Sequence, residues 1–232
     1  MFLSVHYEIP VDATCAQASR CFIVITMEIP ATSRNRRPGR PLGFDRDAAL
    51  HQAMLLFWRH GYEATSVNDL TKAMRITPPS LYTAFGDKKQ LFLEALQLYT
   101  SGAVTSESII DEAPTAREAA VRLLRASTIG FTGENTPAGC LLASSAISCS
   151  AAAEDVRKAV AGIRLKIEKR LRSKIDHDVA ISKLKVRSDA EALAGYIMAV
   201  IQGLSTLARD GATREKLASV STTAILAWPT KR

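Results

Sequence analysis

What this sequence has little of narrows its chemistry before any motif is sought. Its four cysteines, Cys15, Cys21, Cys140 and Cys149, show no CxxC spacing and its four histidines are scattered, so no metal site is expected. Cys140 and Cys149 stand nine residues apart in a stretch that reads as one helix, which puts about 13 Å between them at 1.5 Å per residue. A disulfide tolerates a Cα separation of only roughly 7 Å, so Cys140 is read as a small buried side chain, with a thiol sensor as the alternative. No run approaches the roughly 18 apolar residues of a membrane span, and the short apolar run from Cys21 to Met27 has no cationic segment ahead of it, unlike a secretory signal. From Ala113 onward no stretch has a convincing strand pattern. Nor do His51, His60 or His177 fall beside a nucleophile and an orienting group, so an enzyme is left without catalytic residues or a cofactor.

Positive charge is what the chain has in excess. The net charge is +7 over 232 residues, and the window from Arg34 to Lys89 holds ten Lys or Arg against five Asp or Glu, so most of the surplus sits in one quarter of the chain. A polyanionic partner fits that placement. Within the window, Ser66 to Lys88 reads as a helix-turn-helix, at about 66–85. Ser66 caps a first helix with Asp69 in the acid position of a capping box, and Val67, Leu70 and Met74 repeat on one face. Met74, Arg75 and Ile76 form the turn, and Thr77 with Pro78 opens a second helix that ends near Phe85-Gly86. Its outer face carries Thr77, Pro78, Pro79, Ser80, Tyr82 and Thr83, mostly short side chains that let a helix sink into a major groove. Ahead of it, Arg36, Arg37 and Arg40 lie in and beside a Pro-Gly-Arg-Pro core, which reads either as a solvated basic linker or as an extended, narrow arm suited to a minor groove. Thr65 and Ser66 are placed to meet a phosphate at a helix N-terminus.

The pattern Ile76-Thr77, Ser80-Leu81-Tyr82, Phe85 and Lys88 resembles the DNA-binding domain of tetracycline-repressor-like (TetR/AcrR) transcriptional regulators, from Asp45 to about Tyr99. The resemblance implies that Tyr82 and Lys88 face the DNA backbone. One departure is Arg75, where the family usually has glycine; at positive φ an arginine costs about 1 kcal/mol. The expected fold is all-α, with three parts. Residues 1–44 are a weakly ordered extension carrying the basic arm at 34–41, with Met27 as a candidate start. Residues 45–100 form the DNA-binding unit (the reader) with its connecting helix. Residues 101–232 form a ligand-binding and dimerisation body.

In the body, helices are expected at Arg117 to Phe131, Ala138 to Cys149, Ala153 to His177, Asp189 to Arg209 and Thr213 to Trp228. The last two are apolar over more of their girth than a surface helix needs. Leu193, Ile197, Val200, Ile201, Leu204, Leu217, Val220 and Ile225 are therefore assigned to a homodimer interface, as the resemblance also implies. The many small residues of Gly139 to Ala146, beside Tyr99, Val104, Leu123, Leu124, Ser127 and Phe131, are compatible with close packing or with a small cavity. Cys140 and Ser144 would supply its polar handles. An inducer pocket is what the resemblance implies. The expectation is a cytoplasmic, homodimeric repressor released from a palindromic operator by a small-molecule effector. An activator or thiol sensor of the same fold is the alternative, and a helical enzyme a distant one.

Overall fold

The computed structural model describes residues 43–102, 104–145, 153–181 and 189–229. The arm residues Arg36, Arg37 and Arg40, together with Cys15, Cys21 and Cys149, lie outside them. The described residues form α1 (Arg46–Ala64), α2 (Val67–Met74), α3 (Pro78–Phe85), α4 (Lys88–Thr100), α5 (Ser106–Glu112), α6 (Ala116–Phe131), α7 (Leu141–Ser144), α8 (Glu154–Ala180), α9 (Ala190–Arg209) and α10 (Arg214–Leu226).

Short polar side chains set most of the helix starts. Asp45, Ser66, Thr77, Asp87, Thr105, Thr115, Asp189 and Thr213 each accept a bond from a backbone N–H of the first turn, satisfying a donor that the helix itself cannot. The helix α1 kinks at Gly61, whose φ of 79° and ψ of 174° only glycine adopts at little cost, and carries on to Ala64. Helix α5 is an addition to the expected set; it rests on a capping box from Thr105 and Ser108.

Two apolar cores result. One gathers Phe57, Trp58, Leu70, Leu81, Phe85, Leu91 and Phe92 of the reader, and continues into Leu141, Leu142, Val156 and Val160 of the body. The other is formed by α5, α6, α9, α10 and the middle of α8, around Leu124, Leu171, Ile175 and Ile197. The reader's core is thus completed by residues that follow it by some forty positions or more, so the boundary near residue 100 is a boundary in sequence and not in packing.

Two expectations are corrected. The segment expected to be helical from Ala138 starts only at Leu141 and its described helix ends at Ser144. Gly139 has φ of 79° and Cys140 is extended, because the Cys140 N–H turns aside to donate to Ser205 Oγ at 2.8 Å. The 13 Å helical separation from Cys149 therefore has no basis. Ile197, Leu204 and Leu217 are 0% exposed within the single chain, so they fill its own core and cannot form a surface between subunits. Leu193, Val200, Ile201, Val220 and Ile225 pack against that core and remain partly open. Helix α9 passes a length and mean-hydropathy test for a membrane span, but Glu191, Gln202, Ser205, Thr206 and Arg209 interrupt its apolar residues, and it packs on α6, α8 and α10.

Candidate nucleic-acid interface

The turn between α2 and α3 is fixed from both sides. The Ser66 Oγ accepts from the Asp69 N–H at 3.1 Å while the Asp69 carboxylate accepts from the Ser66 N–H at 3.2 Å, completing the capping box expected from the sequence. The Ser66 hydroxyl, donating to Asp69 Oδ2 at 2.5 Å, and next the Ser66 N–H hold the Asp69 carboxyl below its ordinary range. Arg75 ends α2 in the left-handed region, with φ of 55° and ψ of 43°, a geometry that glycine adopts at little cost. Its N–H donates to Lys72 O at 3.2 Å and the Ile76 N–H to Thr71 O at 3.1 Å, closing the helix before the chain turns into α3.

The eight-residue helix α3 buries Leu81 and Phe85 and turns Thr77, Pro78, Pro79, Tyr82 and Thr83 outward. Tyr82 is 52% exposed, a large aromatic area left in water. Three hydroxyls of this face already have internal partners. Thr77 Oγ1 accepts from the Ser80 N–H and shares a 2.9 Å bond with Ser80 Oγ, and Thr83 Oγ1 donates to Pro79 O at 2.9 Å. The helix is thus preformed and its hydroxyls oriented.

Arg46 is a residue that helical periodicity does not single out. From the first turn of α1 its guanidinium donates to both Glu94 carboxylate oxygens, at 2.8 and 2.7 Å, and to Ala84 O at 3.2 Å. It also lies 4.3 Å from the centre of the Phe85 ring. One side chain therefore fixes the C-terminal end of α3 to α1 and α4. A lone arginine beside a helix cap carries no such signal in sequence.

Two assigned phosphate contacts look different in the structure. Thr65 is 1% exposed and its Oγ1 donates to Gly61 O at 2.6 Å; its hydroxyl braces the α1 kink and is not available to a phosphate. Ser66 is exposed, with its hydroxyl held in the capping box. The Lys88 ammonium donates to Glu63 O at 3.5 Å and sits 4.4 Å over the Tyr62 ring, and its partial burial lowers its pKa.

The residues assigned to a ligand cavity divide. Tyr99 donates to Cys140 Sγ at 3.5 Å, Phe131 O accepts from the Gly139 N–H at 3.0 Å, and Ser144 Oγ donates to Trp58 O at 3.3 Å, so these four collect around one loop. Burial, and next the Cys140 thiol, hold the Tyr99 phenol well above its usual range. Leu123 and Leu124 are buried in the body core, Ser127 is half-buried, and Val104 is exposed. Clefts open elsewhere, one of about 570 Å³ between α5 and α8 and one of about 270 Å³ between α9 and α10.

A capped two-helix reader on an all-helical body defines a helix-turn-helix regulator, and comparison with known proteins places it further. Residues 49–95 match the family described as bacterial regulatory proteins, tetR family, and residues 118–223 match the tetracyclin repressor-like C-terminal domain. The chain is 35% identical over 193 residues to the HTH-type transcriptional repressor ComR of Escherichia coli (strain K12), covering 82% of this chain and 92% of that one. It is 29% identical over 190 residues to the HTH-type transcriptional repressor BdcR of the same organism, covering 81% and 91%. A cysteine mutant of the TetR family transcriptional regulator CifR, complexed with 26bp double-strand operator DNA, superposes with a TM-score of 0.77 at 41% identity, covering 82% of this chain and 100% of that one. The chain belongs to the TetR family, and it is a DNA-binding transcriptional regulator.

Proposed function

We propose that the chain is a homodimeric repressor that grips a palindromic operator through α3 and releases it when a small molecule binds. The observation that carries DNA reading is the exposed row Thr77, Pro78, Pro79, Tyr82 and Thr83 on a helix anchored at its start by the Thr77 cap and at its end by Arg46. Such a helix presents base-reading atoms from a frame that does not reorganise on binding. Ser66, at the start of α2, and Lys88, at the start of α4, border the same face as phosphate contacts, and Arg36, Arg37 and Arg40, outside the described residues, are assigned to the minor groove on their sequence alone.

Dimerisation is supported by the face that α9 and α10 leave open. Tyr196, Val200, Ser219, Val220, Thr223 and Ala224 line a shallow groove there, and Ala199 and Gly203 on α9 are exposed beside it. Small side chains permit close helix approach, and a two-fold axis through this face makes a four-helix interface with Leu193, Ile201 and Ile225 contributing at its edges. The effector site is proposed near Tyr99, Phe131, Cys140 and Ser144, where reader and body meet. Such a regulator works in the cytoplasm and has no catalytic role.

Selection of bound sequences from random duplex DNA, followed by sedimentation of the complex, tests this reading. The expected product is an inverted repeat with half-sites about 10 to 10.5 bp apart, or a multiple of that, bound by an even number of chains. A single asymmetric half-site bound by one chain would overturn it.

A further inference from the structure

The kinked end of α1 is held by a helix of the body. Arg209, in the last turn of α9, donates through Nη1 to Trp58 O at 3.1 Å and through Nη2 to Arg59 O at 2.8 Å. These carbonyls end the straight part of α1, just before the Gly61 kink. Trp58 O also accepts from Ser144 Oγ, and the Trp58 indole N–H donates to Gly139 O at 2.9 Å. On the other side of that loop, Ser205 of α9, 0% exposed, accepts from the Cys140 N–H. The chain passes Ala138 to Ser144 between α1 and α9 like a shim bonded to both.

The seam has no room to slide. A Cβ on Gly139 would lie 2.8 Å from Ser205 O and 2.8 Å from Arg209 Cγ, and one on Gly61 would lie 3.1 Å from Ser144 O. Both glycines are at positive φ. Backbone therefore meets backbone on each side of the loop, where a displacement of a fraction of an ångström must be passed on or must break a bond. Charge strengthens it, since guanidinium-to-carbonyl bonds are stronger than neutral ones.

We infer that Arg209 is a positioning residue for operator binding: it locks the reader to the helix that the proposed dimer is built on, so that the spacing of two recognition helices follows the packing of α9. This rests on the homodimer reading above. The route runs through α1, which holds α3 through Arg46 and Ala84 O and is joined to α4 through Arg46 and Glu94. A body that shifts α9 against its neighbours thereby moves the reader without any change in α3 itself. Arg209 touches no DNA in this arrangement; it acts through α1.

The test uses the full chain, with Arg209→Met to remove both donations while keeping the stem beside Gly139, and Arg209→Lys as the conservative variant. Hydrogen exchange is measured on residues 59–66, 139–145 and 214–226, and binding to three duplexes: the sequence enriched by selection, the same sequence with its half-sites 2 bp further apart, and one half-site alone. For Arg209→Met the expected result is faster exchange at 59–66 and 139–145 with 214–226 unchanged. Half-site binding should stay within about twofold, with a loss of about tenfold on the intact sequence and a smaller penalty for the respaced one. Arg209→Lys should recover part of the spacing discrimination. Unchanged exchange at 59–66 would overturn the proposal, and so would equal losses on half-site and intact duplexes, which mean a general folding role. If the wild-type chain itself ignores half-site spacing, the dimer–palindrome reading fails, while the exchange data still decide whether Arg209 holds α1.

Discussion

In the reader, the groups that shape the chain are three residues apart: Ser66 with Asp69, Thr77 with Ser80, Asp87 with Gln90. In the body, the bonds that fix the backbone around Gly139 and α6 reach much further, from Cys140 to Ser205 across 65 positions, from Ala116 to the buried Asp178 across 62, and from the reader's own Trp58 to Gly139 across 81. Local pairs need no distant partner to be in place, whereas long-range pairs exist only once the domain has folded. The reader is accordingly a unit whose recognition surface is prepared by its own sequence, and the body is one whose shape depends on how its helices settle. For a regulator this division is useful, because the state of the body can change while the recognition surface stays intact.

The comparison breaks first if the reader's core is emptied. Phe92 is 0% exposed and its ring makes edge contacts with Phe57 at 5.0 Å and Tyr62 at 5.0 Å. Phe92→Ala should cost about 3 to 5 kcal/mol. Since the same core includes Leu141, Leu142, Val156 and Val160, thermal unfolding followed by circular dichroism should still show one transition, shifted down. Two resolved transitions would mean that the reader melts alone and that the shared core contributes little.

Next comes the long-range staple inside the otherwise local reader. Arg46→Met leaves the Glu94 carboxylate and Ala84 carbonyl without their donor, a loss of about 1 to 3 kcal/mol for partly buried groups. It should also loosen the end of α3, so denaturant titration and DNA affinity should fall together. An affinity change without a stability change would make Arg46 a DNA contact and not a staple.

These two residues show what was legible in the sequence and what was not. The bounds of α2, α3 and α4 follow from Ser66, Thr77-Pro78 and Asp87, since a cap and a proline act within one turn. Arg46 gives no local signal, because its partners lie 38 and 48 positions away. Thr65 is ambiguous in sequence for a related reason: a hydroxyl ahead of a helix reads alike whether it meets a phosphate or the carbonyl of Gly61, and only the kink decides. For Ile197, Leu204 and Leu217, periodicity identified an apolar face without saying which of two neighbours, its own chain or another, covers it. Gly139 reads as part of a helix because small residues are silent about φ.

Removing equivalent caps from the two regions sharpens the comparison. Ser66→Ala and Thr115→Ala each delete a side chain that accepts from the third N–H of its helix, and each should cost about 1 kcal/mol. Only the first should weaken DNA binding, since α6 lies in the body. A gain is expected from Arg75→Gly. With φ at 55° the arginine is strained, and glycine should raise stability by about 1 kcal/mol, measured as a higher midpoint in urea.

The smallest effect concerns two exposed carboxylates that are both held below their usual range, one in each region. Asp69 is held by the Ser66 hydroxyl and backbone bonds, and Asp111 of α5 by the bond to the Arg170 guanidinium of α8. The sign follows from the lowered values. A carboxylate that binds its proton less readily when folded stabilises the fold fully above the unfolded pKa, near 3.8, and loses that contribution as pH falls through the folded value. Between pH 5 and 8 neither group should make stability depend on pH, and both losses should appear below about pH 4. Salt separates them. At 1 M the Debye length is about 3 Å, so the exposed ion pair of Asp111 should be weakened while the cap of Asp69, made of hydrogen bonds to its own helix start, should persist. Asp111→Asn should therefore change stability less in 1 M salt than in dilute buffer, and Asp69→Asn equally in both. Equal salt sensitivity of the two variants would show that charge, and not the cap geometry, holds the start of α2, and the reader would then be no more self-contained than the body.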